Sequence, residues 1–281
     1  MKLKSILITG CSTGIGYCVA HGLQQRGHNV IASCRQPEDV QRLQSEGLQC
    51  IQLDLTDTDS IHSAFQQCLE LCNGKLDALF NNGAYGLAGA VEDLSRDAIR
   101  HQFETNVFGW LELTNLILPV MRQHGSGRII QNSSVLGFVA LPYRGAYAAS
   151  KFAIEGLSDT LRLELANTQI EVSLIEPGPI ESSFRQNAEK AFHRFIKRQG
   201  SAHESSYLAM EQRLQKQGHA TRFTLPAEAV LEKVIHALES DKPKVRYYVT
   251  FPTYLFGYLK RILSSRAVDN LMLKVSGGGK R

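Results

Sequence analysis

Short runs of Val, Ile and Leu alternate along this chain with longer stretches in which apolar residues recur every three or four positions. The short runs occupy residues 5–9, 29–33, 50–54, 78–81, 127–133 and 171–176. Each is brief and apolar at consecutive positions, the pattern of a strand buried on both faces. The periodic stretches lie near 14–25, 37–46, 58–72, 95–122 and 147–166 and predict helices. Pro37 at a first helical position and Ser95 as an N-cap mark two of the entries. This alternation predicts a parallel sheet of about seven strands with helices on both faces. Right-handed crossovers make it a doubly wound, Rossmann-type α/β fold, with ligands held at the carboxyl ends of the strands.

After Pro177 the alternation lapses. Residues 182–225 read as a polar, helix-prone insertion on the substrate side, before a helix at 226–239 and a last strand at 245–249. No repeat and no Pro- or Ser-rich linker divides the chain, so 1–249 reads as a single domain. Residues 250–281 form a basic, aromatic-rich helical tail. The net charge of +4 is uneven: positions 242–281 carry nine Lys/Arg against Asp269, or +8, leaving −4 on the rest. The main body therefore lacks the basic stripe of a nucleic-acid binder. The stretch from Tyr254 to Leu263 offers an apolar and a cationic face, as interfacial helices do. Peripheral membrane contact is the less favoured reading, and the tail is expected over the substrate mouth or against another subunit.

A composition of 43% hydrophobic and 21% charged residues excludes a disordered chain. The six cysteines sit inside apolar segments without the dense spacing of a secreted disulfide framework. Cys68 and Cys72 share a helix face, but only His62 is near, so no metal site is expected. The apolar run after Lys4 ends at Thr9-Gly10, too soon for a signal peptide, and no run reaches the length of a membrane span. The expected location is the cytoplasm.

Thr9-Gly10-Cys11-Ser12-Thr13-Gly14-Ile15-Gly16 joins the first strand to the first helix. Glycines there let the backbone turn tightly and approach a pyrophosphate, which the unpaired N–H groups of the helix terminus attract. No Lys follows the glycines, which argues against nucleotide hydrolysis. Tyr147 and Lys151 are four apart and share a helix face. A neighbouring ammonium favours the ionised form of a phenol, which then serves as a general acid or base. Ser134 ends a strand thirteen residues upstream. Ser133 points to the other side of that strand and is read as structural.

These segments resemble the short-chain dehydrogenases/reductases, through Thr-Gly-x-x-x-Gly-Ile-Gly, Asn81-Asn82-Gly83-Ala84, Asn106, Ser134, Tyr147-Ala-Ala-Ser-Lys151 and Pro177-Gly178-Pro179-Ile180. The order is the family's and covers roughly residues 5–182. The family's Asn-Asn-Ala-Gly stands here as Asn-Asn-Gly-Ala, a change between small residues. The pattern is nearest to retinol- and hydroxysteroid-dehydrogenase-like members. The resemblance implies an oxidoreductase passing hydride between NADP(H) and the carbonyl or alcohol carbon of an aldehyde, ketone or alcohol. It assigns catalysis to Asn106 (through a water relay), Ser134, Tyr147 and Lys151. Cofactor contacts fall to Gly10, Ser12, Thr13, Gly14, Ile15, Gly16, Arg35, Asp54, Leu55, Asn82, Tyr147, Lys151, Pro177, Gly178, Ile180 and Ser182.

NADP is preferred over NAD because the second strand ends Ala32-Ser33-Cys34-Arg35, with no carboxylate to repel a 2′-phosphate and an arginine to bind one. Candidate pocket walls at Tyr85–Leu87, Leu136–Phe138, Leu141–Tyr143 and Phe184 are mostly apolar, which points to an apolar substrate. A 3-oxoacyl-thioester reductase is the alternative enzyme, and an NADP-sensing module the alternative without turnover. Apolar residues on more than one face of the fourth and fifth helical stretches, Phe108, Trp110, Leu113, Leu157 and Leu161 among them, predict a homodimer or homotetramer.

Overall fold

The computed structural model describes residues 2–215, 218 and 221–277. Positions 216, 217, 219 and 220 of the expected insertion, and 278–281 of the expected tail, lie outside the described residues. Seven strands form one sheet: β1 (Ser5–Ile8), β2 (Asn29–Cys34), β3 (Gln49–Gln52), β4 (Ala78–Asn81), β5 (Gly127–Asn132), β6 (Ile170–Glu176) and β7 (Arg246–Tyr248). Their order is β3-β2-β1-β4-β5-β6-β7, and every adjacent pair is parallel. The winding reverses between β1 and β4, so their carboxyl ends open the crevice in which such sheets bind ligands.

Alternation along each strand divides the core into two layers. Leu7, Leu79, Ile129 and Leu174 face α3 (Thr58–Leu71), α5 (Gly109–Gln123) and α6 (Gly145–Glu164) through Ile61, Trp110, Leu113 and Ile154. Ile6, Ile8, Phe80, Ile130 and Ile175 face α1 (Gly14–Gln25), α2 (Pro37–Ser45) and α9 (Glu228–Glu239) through Val19, Leu23, Leu43, Val230 and Val234. The insertion contains two helices, α7 (Phe184–Phe195) and α8 (Glu204–Gln215). They close an apolar cluster over Leu87, Ala88 and Ala146. The tail forms α10 (Phe251–Ile262) and α11 (Ser265–Val275). All six cysteines are free thiols. Among the described residues no helix is long and apolar enough to cross a membrane, and no cluster of metal-ligating side chains occurs.

The helix expected at 95–122 runs unbroken over 96–123 but is not uniformly α-helical. It divides into α4 (Arg96–Phe103), a wider π-helical turn at Glu104–Phe108, and α5. α5 begins at Gly109, where an added Cβ would stand 2.1 Å from the Leu55 carbonyl oxygen. Close docking of α5 on the loop after β3 requires that glycine, and the extra residue in the turn rotates Asn106 into the interior. π-turns inside helices mark functional positions more often than chance.

Behind the sheet's far edge, three acids surround one arginine. Arg246 of β7 binds Glu155 at 3.1 Å, Asp159 at 2.8 Å and Glu176 at 3.1 Å. Glu155 and Asp159 stand one turn apart on α6, and Glu176 ends β6, so the cation ties the short edge strand to both. Glu155 and Glu176 are buried and face each other. Burial, then the charge of Glu155, pushes the Glu176 carboxyl up to about 9, against the pull of Arg246. A carboxyl that keeps its proton when folded contributes stability that is full below its unfolded value of 4.5 and is lost as pH rises through about 9. Glu176→Gln should therefore flatten the fall in stability across that window. The wild-type fall approaches about 1.4 kcal/mol per pH unit for one proton. Urea denaturation of both proteins at stepped pH measures the difference, and parallel curves would show that Glu176 is ionised in the fold.

Candidate active site

The loop between β1 and α1 is shaped by contacts that leave no room for side chains. Gly10 has φ +71 and a Cβ there would stand 2.5 Å from the Cα of Gly83. At Gly16 it would stand 2.2 Å from the Gly10 carbonyl oxygen, and at Gly14, with φ +61, 2.8 Å from the Cβ of Ser182. Thr13 precedes α1 without a side-chain cap, and the first turn carries no acid. The result is a bare backbone cradle at a positive helix end, which fits a pyrophosphate. The contact with Gly83 fixes position 10 as glycine; at Gly83 itself, where Asn-Asn-Gly-Ala departs from the family's order, an added Cβ would stand 3.1 Å from the Leu55 side chain and 3.3 Å from the Gly10 nitrogen, a tight fit.

A chain of hydrogen bonds runs from this cradle across the strand ends. Thr9 Oγ1 accepts the N–H groups of Asn82 (2.9 Å) and Gly83 (2.8 Å). Asn82 Nδ2 donates to the carbonyls of Thr9 (2.9 Å) and Gly10 (3.1 Å), while its Oδ1 accepts from Asn132 Nδ2 at 2.8 Å. The Asn132 carbonyl in turn accepts from Lys151 Nζ at 2.7 Å. Sequence reasoning missed Asn132. The signal was present, since the alternation that turns Ser133 away sets Asn132 on the side of Ser134. Ser133 does face away, toward Glu155.

Tyr147 and Lys151 lie on one face of α6, as their spacing predicts, and both are buried. Lys151 Nζ stands 4.4 Å from the centre of the Trp110 ring and 5.7 Å from that of Tyr147. Burial lowers the lysine to about 7, and the charge of Glu155 opposes the fall. Burial raises the Tyr147 phenol to about 12, against a hydrogen bond from the Ser134 hydroxyl. The phenol thus holds its proton at neutral pH beside a lysine that can lose one.

Asn106 occupies the π-turn and is fully buried. Its Oδ1 accepts from the Tyr85 N–H (3.1 Å), and its Nδ2 donates to the Tyr85 carbonyl (2.9 Å) and Ser150 Oγ (3.1 Å). The side chain is spent on holding the loop after β4, so any water relay at this position must use its main chain.

The remaining expected residues line the same rim. Asp54 and Leu55 follow β3, and Asp54 Oδ1 accepts from the N–H (2.9 Å) and hydroxyl (2.8 Å) of Thr56. Pro177 and Gly178 follow β6, the Pro177 carbonyl accepting from the Val135 N–H at 2.8 Å. Ile180 pairs with Leu225, and Ser182 overlies Gly14. Ser12 and Ile15 belong to the cradle itself. Arg35 is exposed at the end of β2 and forms no ion pair among the described residues. Two acids, Glu38 and Asp39, follow in the first turn of α2; Asp39 is held by Arg42 at 2.9 Å, and Arg42 also donates to the Ser12 carbonyl at 2.7 Å. Arg42 is a second residue that sequence reasoning missed, because a surface helix position gives no sign of reaching the glycine loop.

Of the expected pocket walls, Leu136, Phe138, Leu141 and Phe184 meet around Tyr147, whereas Tyr85, Leu87 and Tyr143 pack in the cluster under α7 and α8. Leu136, Val139, Ala148, Phe256 and Met272 pack with the Tyr147 ring, joined by Phe138, Leu141 and Phe184. Phe184 lies 5.3 Å from the Tyr147 ring, in the space left by Gly86, where a Cβ would stand 2.5 Å from it. The tail therefore roofs the site, as expected.

A family model for short chain dehydrogenases matches residues 4–192. An uncharacterized oxidoreductase of Escherichia coli strain K12, YbbO, is 42% identical over 269 residues, covering 96% of this chain and 94% of its own. The 17-beta-hydroxysteroid dehydrogenase type 1 of Homo sapiens is 32% identical over 274 residues, covering 89% of this chain and 78% of its own. The crystal structure of a short-chain dehydrogenase from Streptomyces avermitilis superposes with a TM-score of 0.76 at 28% identity, covering 99% of this chain and 98% of that one. With a family model matched over most of its length and a bacterial relative aligned from end to end, the chain belongs to the short-chain dehydrogenases/reductases, oxidoreductases whose fold binds a nicotinamide dinucleotide.

Proposed function

We propose that the protein is an NADPH-dependent reductase of apolar aldehydes or ketones. The observation that carries this reading is the buried phenol of Tyr147, enclosed by an apolar roof on the helix face it shares with the buried Lys151. When bound, the reduced nicotinamide supplies the hydride. Ser134 orients the substrate oxygen, and Tyr147 gives it a proton. Lys151 restores that proton, and Asn106 holds the loop against which the substrate lies. The cradle of Gly10, Ser12, Thr13, Gly14, Ile15 and Gly16 takes the pyrophosphate, with Asn82 beneath it. Asp54 and Leu55 border the adenine, and Pro177, Gly178, Ile180 and Ser182 the nicotinamide.

Arg35 supports the preference for NADPH, since it is free to meet a 2′-phosphate while Arg42 neutralises Asp39. The apolar lining supports an apolar substrate, in keeping with the steroid alcohol named for the human relative. Exposed Phe108, Leu111, Phe152 and Leu157 on α5, α6 and the turn before α5 support a homo-oligomer built on these helices.

Loss of NADPH absorbance against a panel of aldehydes, ketones and acyl thioesters tests the reading, and turnover confined to thioesters would overturn the substrate assignment. Tyr147→Phe should lower kcat by roughly 100-fold or more, the scale of a lost general acid, with NADPH binding retained. Wild-type turnover in that variant would remove Tyr147 from the chemistry. Arg35→Ala should weaken NADPH roughly tenfold or more and leave NADH nearly unchanged, because a charge-assisted hydrogen bond contributes about 1.5–3 kcal/mol. Titration of both cofactors by fluorescence measures this, and equal weakening would make Arg35 structural.

A further inference from the structure

The face of α10 turned away from the site is apolar. Phe251, Leu255, Tyr258 and Ile262 recur at i, i+4, i+7 and i+11, a single stripe on a helix. Tyr254 borders the stripe, and Phe251, Tyr258 and Ile262 are 60%, 63% and 77% exposed. The opposite face, with Thr253, Phe256 and Gly257, is buried, Phe256 against the cluster that includes Tyr147. A surface helix ordinarily turns its polar side outward, whereas this one is apolar on its outer face as well as at Phe256 and Leu259 within.

Along the Tyr254–Tyr258–Arg261 edge of the same helix opens a cavity of about 460 Å³ between α9, β7 and α10. Lys233, Lys244 and Arg246 complete its cationic lining beside His236, and Glu232 is its one carboxylate among the described residues. Arg246 is committed to Glu155, Asp159 and Glu176, whereas Lys233, Lys244 and Arg261 form no ion pair among the described residues. Arg261 stands at the edge of the stripe, while Lys260 turns to the other side of α10 and lies 4.9 Å from the centre of the Phe152 ring.

We propose that α10 docks the protein on an anionic lipid bilayer. Its aromatic and aliphatic stripe enters the headgroup boundary, and the basic cavity beside it receives a lipid phosphate. An apolar stripe with cations along one edge, here Arg261, Lys233 and Lys244, is an arrangement that adsorbs to such a surface. A second copy of the chain fits the face poorly, because pairing it with itself brings like charges together. The inference does not rest on the proposed reductase activity, and its test reads no turnover.

The full chain is sedimented with vesicles of phosphatidylcholine alone, or of phosphatidylcholine with phosphatidylglycerol. Capture is expected only by the anionic vesicles, falling as salt rises from about 0.05 M to about 0.5 M and screens the attraction. Lys233→Glu with Arg261→Glu should reduce capture roughly 20-fold or more, at about fivefold for each cation. Ile262→Asp should reduce it roughly tenfold, with thermal melts confirming an intact fold in both variants. Wild-type protein that stays in solution with anionic vesicles overturns the proposal without recourse to any variant. So does capture indifferent to lipid charge or to these substitutions. Sedimentation velocity in which Ile262→Asp splits a vesicle-free dimer would instead assign the face to a second copy and overturn it equally.

Discussion

A lysine enclosed by protein needs an acceptor for its protons, and here the main-chain carbonyl of Asn132 meets Lys151 Nζ at 2.7 Å. Much of the site's geometry follows from that bond. The Asn132 side chain holds Asn82, and Asn82 holds the carbonyls of Thr9 and Gly10. Thr9 returns the link by accepting two N–H groups from the loop after β4. The glycine cradle and the lysine are thereby fixed to each other through three strand ends, with no flexible side chain reaching solvent between them. Shifting the β4 or β5 terminus would move both at once, which explains how short strands can set a geometry as demanding as proton transfer.

The lysine's charge is governed from behind. Glu155 lies one turn beyond it on α6 and raises its affinity for a proton, while burial lowers it. Glu155 itself faces Ser133, Glu176 and Arg246. An edge strand of three residues has few ladder hydrogen bonds to hold it, and the arginine it carries binds three acids on two other elements. The same ion cluster therefore holds β7 in place and sets the field at Lys151. A half-buried arginine among acids is weak evidence for stability as such, since desolvation offsets much of the attraction. Fixing the position of one charge relative to another is the better account of it.

The strands were legible to within two residues because buried parallel strands need consecutive Val, Ile and Leu, and little else in this sequence supplies them. The motif residues were legible because each is a chemically unusual choice at a strand end. The π-turn was not, because its extra residue shifts the apolar phase by only about 100°, and a long stretch with apolar residues on more than one face hides such a shift. Gly109 becomes informative only when the Leu55 carbonyl is seen against it. Asn132 and Arg42 escaped notice for a different reason: their roles are hydrogen bonds to main-chain or neighbouring side-chain groups far away in sequence. The tail was legible as amphipathic, but which face turned inward depended on Phe256 and Met272 packing against Leu136 and Tyr147.

That packing has a chemical consequence. Phe184 from the insertion and Phe256 and Met272 from the tail complete the enclosure of the phenol, and enclosure raises it to about 12. The same dryness lowers Lys151 to about 7. Both groups thus lean toward their neutral forms in the free protein, the tyrosine by keeping a proton and the lysine by yielding one. A phenol in that state is an acid at neutral pH, suited to completing the reduction of a carbonyl. To serve as a base it needs a cation beside it, and Lys151 supplies one only while the field of Glu155 keeps it charged. The roof and the acid cluster therefore act on the proton in opposite senses, and their balance is written into helices and an edge strand outside the recognised motifs.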